Sequence, residues 1–188
     1  ISPHIAVVTN VLEDHLNRYS GMRSYARAKE SILRHQMAGD VAVLNKENAW
    51  TRAMAKKTKA KIFWFPTKNL QLTTYNLQLF GEHNRMNASA AAAVTRAIGV
   101  PLATIRTALK NFRGLPDRLE FIRTVRGVRY YNDTTATTPD ATIAALRTLS
   151  RDIILIAGGS DKKLDYTPLM PWIKKTCKAI VLLPGTAT

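Results

Sequence analysis

The sequence has a single cysteine, Cys177, among its 188 residues. One cysteine cannot form an intramolecular disulfide, so a disulfide framework and a multi-cysteine zinc site are both excluded. There is no run of about 18 apolar residues, so no segment is predicted to span a membrane. A lone thiol suits a reducing compartment, and we therefore expect a cytoplasmic protein. The first residues, Ile1–His4, include neither an initiator Met nor a signal-peptide pattern, which indicates a piece of a longer chain.

Acidic residues are also scarce, because 13 Asp and Glu stand against 28 Lys and Arg and leave a formal net charge of +15. Such a charge favours anionic partners, which include nucleic acids and phosphorylated substrates. The basic residues are spread along the chain, and the densest group, Lys56–Lys61, contains no aromatic residue that could stack on bases. We predict a basic surface for anionic ligands, with no nucleic-acid or membrane partner. A basic nucleic-acid-binding module without catalysis is the alternative from a different class.

Strands and helices alternate in two successive series, which join near Asn111–Pro116. Short apolar runs separated by amphipathic stretches predict parallel sheets covered by helices on both faces, which is the α/β class. We predict two domains, residues 1–112 and 113–188. The predicted strands are Ile5–Thr9, Val41–Asn45, Lys61–Phe65, Tyr75–Phe80, Glu120–Thr124, Val128–Tyr131, Ile153–Ala157 and Ala179–Leu183. The predicted helices are Met22–Gln36, Ala49–Lys57, Arg85–Ile98, Leu102–Asn111, Asp140–Leu149 and one between Thr167 and Lys175.

The segment Tyr130–Asp140 is the most informative part of the sequence. An apolar strand ends at Tyr131, and a carboxylate, Asp133, is followed by several threonines. Thr138 is predicted to cap a helix that begins at Pro139. A strand that leads through a polar turn to a helix N-terminus is a common phosphate-binding arrangement. An ordinary threonine-rich turn is the alternative.

A second polar turn, Gly158–Lys162, follows the strand that ends at Ala157. If this strand and the one before Asp133 are neighbours in a parallel sheet, Asp133 and Lys162 converge on one crevice at the sheet edge. The two glycines would allow the backbone to approach a ligand closely. Lys162 offers a cation for a phosphate or a carboxylate.

Three features of the first series also suit a ligand site. Asp14 and His15 could hold a divalent metal, with a capping Asp and a surface His as the alternative. Lys29, taken alone, is an ordinary helix-surface lysine. Asn84 and Asn87 share one face of a helical turn, where two amides could pair with the edge of a planar heterocycle. The alternative, that Asn84 caps the helix, explains only one of the two.

Together these motifs resemble those of the Mur ligases, and most closely the branch of that family that adds D-glutamate. The resemblance covers essentially the whole chain. The resemblance rests on six motifs that occur in the same order along the chain as in the family. These are Thr9–Tyr19, Tyr25–Lys29, Gly81–Asn87, Gly114–Glu120, Asn132–Thr137 and Gly158–Asp165.

The resemblance implies that the chain is the second half of a central ATPase domain followed by the first part of a Rossmann-like C-terminal domain. The implied reaction of peptidoglycan synthesis is ATP-dependent amide formation, in which a substrate carboxylate attacks the γ-phosphate and an amine then displaces phosphate from the acyl phosphate. The implied cofactors are ATP and Mg²⁺. The implied partners are UDP-N-acetylmuramoyl-L-alanine and D-glutamate, bound by a protein that is a monomer at full length.

The resemblance also implies roles for individual residues. His15 and Lys29, the latter as a carbamate formed with CO₂, would lie at the Mg²⁺ site and act in catalysis together with Arg118. Thr137 and Lys162 match positions that hold the D-glutamate carboxylate. The positions on the nucleotide side are Asn84, Asn87, Arg118 and Asp133.

Two positions depart from the family pattern. Thr135 stands where many D-glutamate-adding members have Lys, and Asp117 stands where His is often found. A phosphate-side cation is therefore missing or is supplied by another residue: Arg113, Arg118 or Lys163. The 188 residues contain no G-x-x-x-x-G-K-[ST] phosphate-binding loop, so we expect this chain alone to lack ligase activity. Another Mur ligase, or folylpolyglutamate synthase, is the alternative within the same class.

Overall fold

A computed structural model describes residues 1–66, 78–79, 81–160 and 162–186. The chain divides into two compact units. Unit 1 contains residues 1–12 and 19–112, and unit 2 contains residues 13–18 and 113–188. The short segment 13–18, which the sequence placed with the first domain, is thus grouped with the second half of the chain.

Unit 1 is built on a parallel three-stranded sheet. Its strands are β1 (Ile5–Val8), β2 (Val41–Asn45) and β3 (Lys61–Phe65), in the order β1-β2-β3. These strands are apolar along almost their whole length because helices cover both faces of the parallel sheet. The predicted bounds of β2 and β3 are confirmed, and β1 is one residue shorter than predicted. Most of the predicted strand Tyr75–Phe80 lies outside the described residues, which include only positions 78 and 79 of it.

Helices cover both faces of this sheet, as predicted. Ala42 and Leu44 pack on one face with α1 (Met22–Glu30) and α2 (Ala49–Ala55). Val43 points to the opposite face and packs with α3 (Glu82–Ala97). The alternation of side chains along β2 therefore separates two apolar layers. A further helix, α4, comprises Leu102–Asn111 and buries Ile105.

The end of α1 differs from the prediction, and the start of α2 agrees with it. The helix predicted to reach Gln36 ends at Glu30 and continues as a 3₁₀ turn, Ser31–Leu33. The Ser31 hydroxyl donates to the carbonyl of Ala28, which is the local side-chain competition that disfavours serine inside helices. Helix α2 begins where predicted, because the Asn48 side chain accepts the first free N–H groups of the helix.

Unit 2 contains two separate two-stranded sheets. Strands β4 (Glu120–Val125) and β5 (Val128–Asn132) form an antiparallel hairpin, and β6 (Ile153–Ala157) pairs in parallel with β7 (Cys177–Leu182). Two helices pack together in this unit, with a 3₁₀ turn before the second. These elements are α5 (Pro139–Leu149), the 3₁₀ turn Thr167–Leu169 and α6 (Met170–Thr176).

The start of α5 confirms the local prediction. Pro139 is the first helical residue, where its missing N–H costs nothing. Thr138 is the N-cap, and its hydroxyl accepts a hydrogen bond from the Ala141 N–H at 3.4 Å. The polar turn after β5 therefore leads directly into a helix N-terminus.

The sheet arrangement predicted for the second series is wrong in two respects. Within the described residues, β5 pairs with β4 and not with β6, and the β4–β5 pair is antiparallel. The cause is the two-residue loop Arg126–Gly127, which is long enough only for an antiparallel connection. In addition, Ile154 and Ile156 are 61% and 63% exposed, so the β6–β7 sheet is not covered on both faces by described residues.

Among the described residues, no helix is both long and apolar enough to cross a membrane.

The β4–β5 loop provides a first test of the fold. Arg126 and Gly127 have φ values of 50° and 80°, as in a type I′ turn, which favours Asn-Gly over Arg-Gly. We expect Arg126→Asn to raise the free energy of unfolding by roughly 0.5 kcal/mol and Arg126→Val to lower it by about 1 kcal/mol, because a β-branched residue is strained at positive φ. Chemical denaturation would measure both changes.

Arg129→Asn is the matched control, since Arg129 is an exposed arginine on β5 rather than in the loop. Asparagine is unfavourable in a strand, so this control should not stabilise the chain. Equal stabilisation by both asparagine variants would contradict the turn assignment.

Candidate functional site

The polar turn after β5 is held by its own backbone and by a second turn nearby in space. The Asp133 carbonyl accepts the Ala136 N–H at 2.8 Å, which closes the turn on itself. The Asp133 carboxylate accepts the N–H of Leu119 at 2.8 Å. A hydrogen bond to a carboxylate is stronger than one between neutral groups, so Asp133 joins two loops that are 14 residues apart.

The second turn, Asp117–Leu119, is bonded to the first at several points. The Asp117 carbonyl accepts both the N–H and the hydroxyl of Thr135, at 3.2 Å and 2.6 Å. The Asp117 carboxylate accepts the side-chain amide of Asn132 at 2.7 Å. Asp117 and Thr135, the two positions that depart from the family pattern, are therefore direct neighbours.

Arg118 lies between two residues with left-handed backbone. The φ values of Asp117 and Leu119 are 61° and 47°, which is an uncommon conformation, especially for a bulky residue such as leucine. Both residues make the hydrogen bonds to the β5 turn that offset this strain. The Arg118 side chain is exposed, so it is free to reach an anion from a backbone position that its neighbours define.

Lys162 joins two polar groups of unit 2. Its ammonium donates to the Asp14 carboxylate and to the Thr137 hydroxyl, each at 3.1 Å. Side-chain exposure is only 25% for Lys162 and 24% for Asp14, so this ion pair is partly shielded from water. The structure thus brings together Thr137 and Lys162, the two residues that the resemblance assigned to one carboxylate. It adds Asp14, which sequence reasoning had considered only as a metal ligand or a cap.

The Asp14 carboxylate also contacts its neighbour His15. One oxygen accepts the His15 N–H at 2.9 Å, and the other lies 3.3 Å from Nε2 of the His15 ring. His15 has a φ of 54°, and its carbonyl accepts the Arg18 N–H at 2.8 Å. Segment 13–18 is therefore a tight turn from which the Asp14 carboxylate contacts Lys162.

The two glycines after β6 allow close packing of the chain against itself. The sequence pattern had instead suggested the approach of a ligand. A Cβ atom on Gly158 would lie 2.7 Å from the carbonyl oxygen of Leu183, so any side chain there would collide with the backbone after β7. Gly159 has a φ of 142°, which favours glycine. This pair permits the close approach of two strand ends. Asp161, from the same motif, lies outside the described residues.

Asp165, the last residue of the Gly158–Asp165 motif, has a structural role. It accepts the Thr167 N–H at 2.9 Å, just before the 3₁₀ turn. Hydrogen bonds from the hydroxyl and the backbone N–H of Thr167 hold the pKa of Asp165 below its usual value. Asp165 therefore stays ionised and supports the start of this turn.

The other predicted site residues belong to unit 1. Lys29 is exposed on α1, with Nζ 5.2 Å from the centre of the Tyr25 ring. Asn84 and Asn87 lie in the first two turns of α3, where Asn84 is half-buried and Asn87 is exposed. The N-cap of α3 is Gly81, so the alternative that Asn84 caps this helix is not what the structure shows. Both residues lie on this helix, three positions apart.

The predicted metal site is not assembled by the described residues alone. They contain no group of three or more His, Cys, Asp or Glu side chains that could hold a metal ion. His15 and Lys29, which the prediction combined, fall in unit 2 and unit 1. Asp14, the carboxylate next to His15, is already paired with Lys162. The Mg²⁺ assignment therefore stays a prediction.

Two family models match the chain. The model described as Mur ligase middle domain matches residues 1–74. The model described as Mur ligase, glutamate ligase domain matches residues 117–187. The two matches cover most of both units and include six of the eight predicted site residues. The other two, Asn84 and Asn87, lie between the matched ranges.

Curated relatives match along the whole length. The UDP-N-acetylmuramoylalanine--D-glutamate ligase of Roseiflexus sp. (strain RS-1) is 39% identical over 100% of this chain and 47% of the relative. The protein of the same name from Symbiobacterium thermophilum is 35% identical over 99% of this chain and 46% of the relative. The chain thus spans about half the length of the curated relatives it matches.

Solved structures share the fold. MurF from Acinetobacter baumannii aligns with a TM-score of 0.74 and 24% identity over 99% of this chain and 47% of that one. Folylpolyglutamate synthase of Mycobacterium tuberculosis, complexed with ADP and AMPPCP, aligns with a TM-score of 0.71 and 19% identity over 97% of this chain and 48% of that one. At these identities the likeness concerns the fold alone.

The bond from Leu119 to Asp133 gives a test of the site geometry. We expect Asp133→Ala to accelerate hydrogen exchange of the Leu119 amide by about tenfold or more, because a charge-assisted bond contributes roughly 1.5–3 kcal/mol. Exchange measured by NMR would report this amide directly. Asp140→Asn, an exposed carboxylate in the first turn of α5, is the control and should leave Leu119 unchanged. Unchanged exchange in Asp133→Ala would show that the two turns are held by other contacts.

Proposed function

This chain belongs to the Mur ligase family, and from that membership we propose that it is part of an ATP-dependent ligase that adds D-glutamate to UDP-N-acetylmuramoyl-L-alanine. The observation that supports this proposal most directly is the pairing of Lys162 Nζ with Thr137 Oγ1 at 3.1 Å. These are the two positions that the resemblance assigns to the D-glutamate carboxylate. The identity of 39% with a D-glutamate ligase over the whole chain supports the same choice of amino acid.

The domain assignment is part of the proposal. We assign residues 1–112 to the second half of a central ATPase domain and residues 113–188 to the first part of a C-terminal Rossmann-like ligase domain. The middle-domain match to 1–74 and the ligase-domain match to 117–187 support this order. The whole protein would act as a cytoplasmic monomer in peptidoglycan synthesis, without a nucleic-acid or membrane partner.

The proposed reaction has two steps. The carboxylate of the UDP-linked substrate attacks the γ-phosphorus of ATP, so that an acyl phosphate forms and ADP leaves. The amine of D-glutamate then attacks the acyl carbon, phosphate leaves, and the nitrogen gives its proton to solvent as the amide forms. Both steps place several negative charges together, so positioning and charge neutralisation are the main catalytic needs.

The residues of unit 2 meet these needs in different ways. Arg118 is exposed on a turn whose backbone is held by Asp133 and Thr135, so it can contact a phosphate from a defined position. Lys162 and Thr137 would bind the carboxylate of the amino acid. Because Thr135 carries no charge, Arg118 would supply the cation that many relatives place at position 135.

ATP would supply the phosphoryl group that activates the carboxylate. Asn84 and Asn87 would face the adenine, because each amide offers a donor and an acceptor. The bound ADP and AMPPCP in the folylpolyglutamate synthase structure support a nucleotide in this fold. The described residues do not by themselves provide a Mg²⁺ ligand set, so no step is assigned to the metal.

Two alternatives are weaker. Another Mur ligase or a folylpolyglutamate synthase would share the fold, but the curated D-glutamate ligases are 31–39% identical to this chain, compared with 19% for that synthase structure. A basic nucleic-acid-binding module would explain the net charge of +15, but it does not explain why Lys162 and Thr137 lie together.

Amino-acid selection by the full-length protein tests the proposal. With ATP and UDP-N-acetylmuramoyl-L-alanine, we expect ADP release with D-glutamate and none with L-glutamate or D-alanine. The 188-residue chain alone should show no turnover, since it contains no phosphate-binding loop motif. Turnover with a different amino acid would overturn the substrate assignment, and steep salt-dependent DNA binding without turnover would favour the nucleic-acid alternative.

The role of Lys162 has its own kinetic test in the full-length protein. We expect Lys162→Met to raise the KM for D-glutamate by roughly tenfold or more, because a charge-assisted hydrogen bond to the carboxylate is lost. The KM for ATP should stay within about twofold. Lys174→Met, at an exposed position on α6, is the matched control and should change neither constant. A rise in the KM for ATP alone would place Lys162 at the phosphates instead.

A further inference from the structure

We propose that Asp14 is the residue that recognises the amino group of the incoming α-amino acid. In this arrangement the Asp14 carboxylate receives the amine, and Lys162 with Thr137 receives the α-carboxylate. The inference rests on the proposed function, because it assumes that an α-amino acid binds at Lys162. It adds a residue and a selectivity that the resemblance did not assign.

The first argument is the charge pattern. Lys162 Nζ lies 3.1 Å from the nearer Asp14 oxygen, so one positive and one negative group stand side by side. An α-amino acid is a zwitterion with its two opposite charges on neighbouring atoms. The pair is therefore complementary to such a ligand, charge for charge, whereas a lone lysine would suit any carboxylate.

The second argument is the remaining hydrogen-bonding capacity of each group. The Lys162 ammonium has three donors and directs two of them to Asp14 and Thr137, which leaves one for a ligand carboxylate. Thr137 accepts from Lys162 and can still donate its own hydroxyl proton. An ionised carboxylate has about four acceptor positions, so Asp14 keeps one for an amine beside its bonds to Lys162 and the His15 N–H and its 3.3 Å contact with His15 Nε2.

The third argument is partial burial. The Asp14 and Lys162 side chains are 24% and 25% exposed, compared with 69% and 63% for the Lys178–Asp152 surface pair. Interactions between charges strengthen as water is excluded. A ligand amine at Asp14 would therefore contribute more affinity than the same contact at an open surface pair.

The effect of removing Asp14 distinguishes this role from two simpler ones. If Asp14 only blocked Lys162, its removal would free the lysine for every carboxylate. If Asp14 only held segment 13–18 in place, its removal would affect ligands with and without an amine alike. Recognition of the amine predicts a different result, which is loss of the preference for the ligand that has one.

The experiment compares two ligands on the 188-residue chain. D-Glutamate and glutarate share the carbon chain and both carboxylates, but glutarate lacks the amine. Dissociation constants from NMR titration should show D-glutamate binding about tenfold more tightly than glutarate, which is the scale of one charge-assisted hydrogen bond. In Asp14→Asn we expect this preference to fall to within about twofold, with glutarate affinity unchanged.

Three variants control the interpretation. Glu13→Gln removes an exposed charge from the same segment and should keep the preference. Thr137→Val should weaken both ligands equally, because it affects only the carboxylate side. Asp14→Glu retains the charge and should keep part of the preference, which separates a role in recognition from a loss of folding. The amide spectrum of each variant shows whether it is folded.

Each other outcome overturns the inference. A preference that persists in Asp14→Asn, or an equal gain in affinity for both ligands, would assign Asp14 a structural or blocking role while Lys162 stays at the carboxylate. Absence of D-glutamate binding to the parent chain would also overturn the inference. In that case, turnover of D-glutamate by the full-length protein would show that the proposed function still holds. If Lys162→Met altered neither ligand, the carboxylate site of the proposed function would fail as well.

Discussion

The polar surface of unit 2 depends on the hydrogen bonds between the turn after β5 and the turn Asp117–Leu119. The Asp133 carboxylate accepts the Leu119 N–H, and the Asp117 carbonyl accepts the N–H and hydroxyl of Thr135. These bonds offset the strain of two residues with positive φ. Arg118 lies between the strained residues, so its backbone position is determined by its neighbours.

The ion pair of Asp14 and Lys162 adds a second constraint of a different kind. Two opposite charges that are mostly shielded from water are costly to separate, because the remaining one would be left unpaired. Asp14 belongs to a short segment that follows Leu12, whereas Lys162 follows β6. Their contact therefore places segment 13–18 in unit 2, although most of the surrounding sequence belongs to unit 1. A ligand that competes for either charge acts directly on this contact.

Much of the fold was predictable because it depends on short-range patterns. The parallel strands of unit 1 appear as apolar runs, and the α5 cap follows from Thr138-Pro139 alone. The antiparallel β4–β5 hairpin could also have been predicted, since a two-residue loop that ends in glycine indicates it. The incorrect expectation was that the second series forms a parallel sheet covered on both faces, which came from applying the rule for alternating strands and helices to β4 and β5. The condition for Asp133 and Lys162 to converge, neighbouring β5 and β6 strands, is not met among the described residues. The role of Gly158 was likewise missed, because the clash that requires glycine involves Leu183.

Local sequence was sufficient for the elements, their caps and the identity of the motifs, because each of these depends on residues within one or two turns of one another. Chain folding alone decided which motifs meet. Asp14 and Lys162 are 148 residues apart, and no periodicity or spacing in the sequence relates them. Their contact arises from the packing of segment 13–18 in unit 2, where opposite charges removed from water must be paired. The hydrogen bond from Leu119 to Asp133 is more local, since these residues flank the two strands of the β4–β5 hairpin, which brings them together.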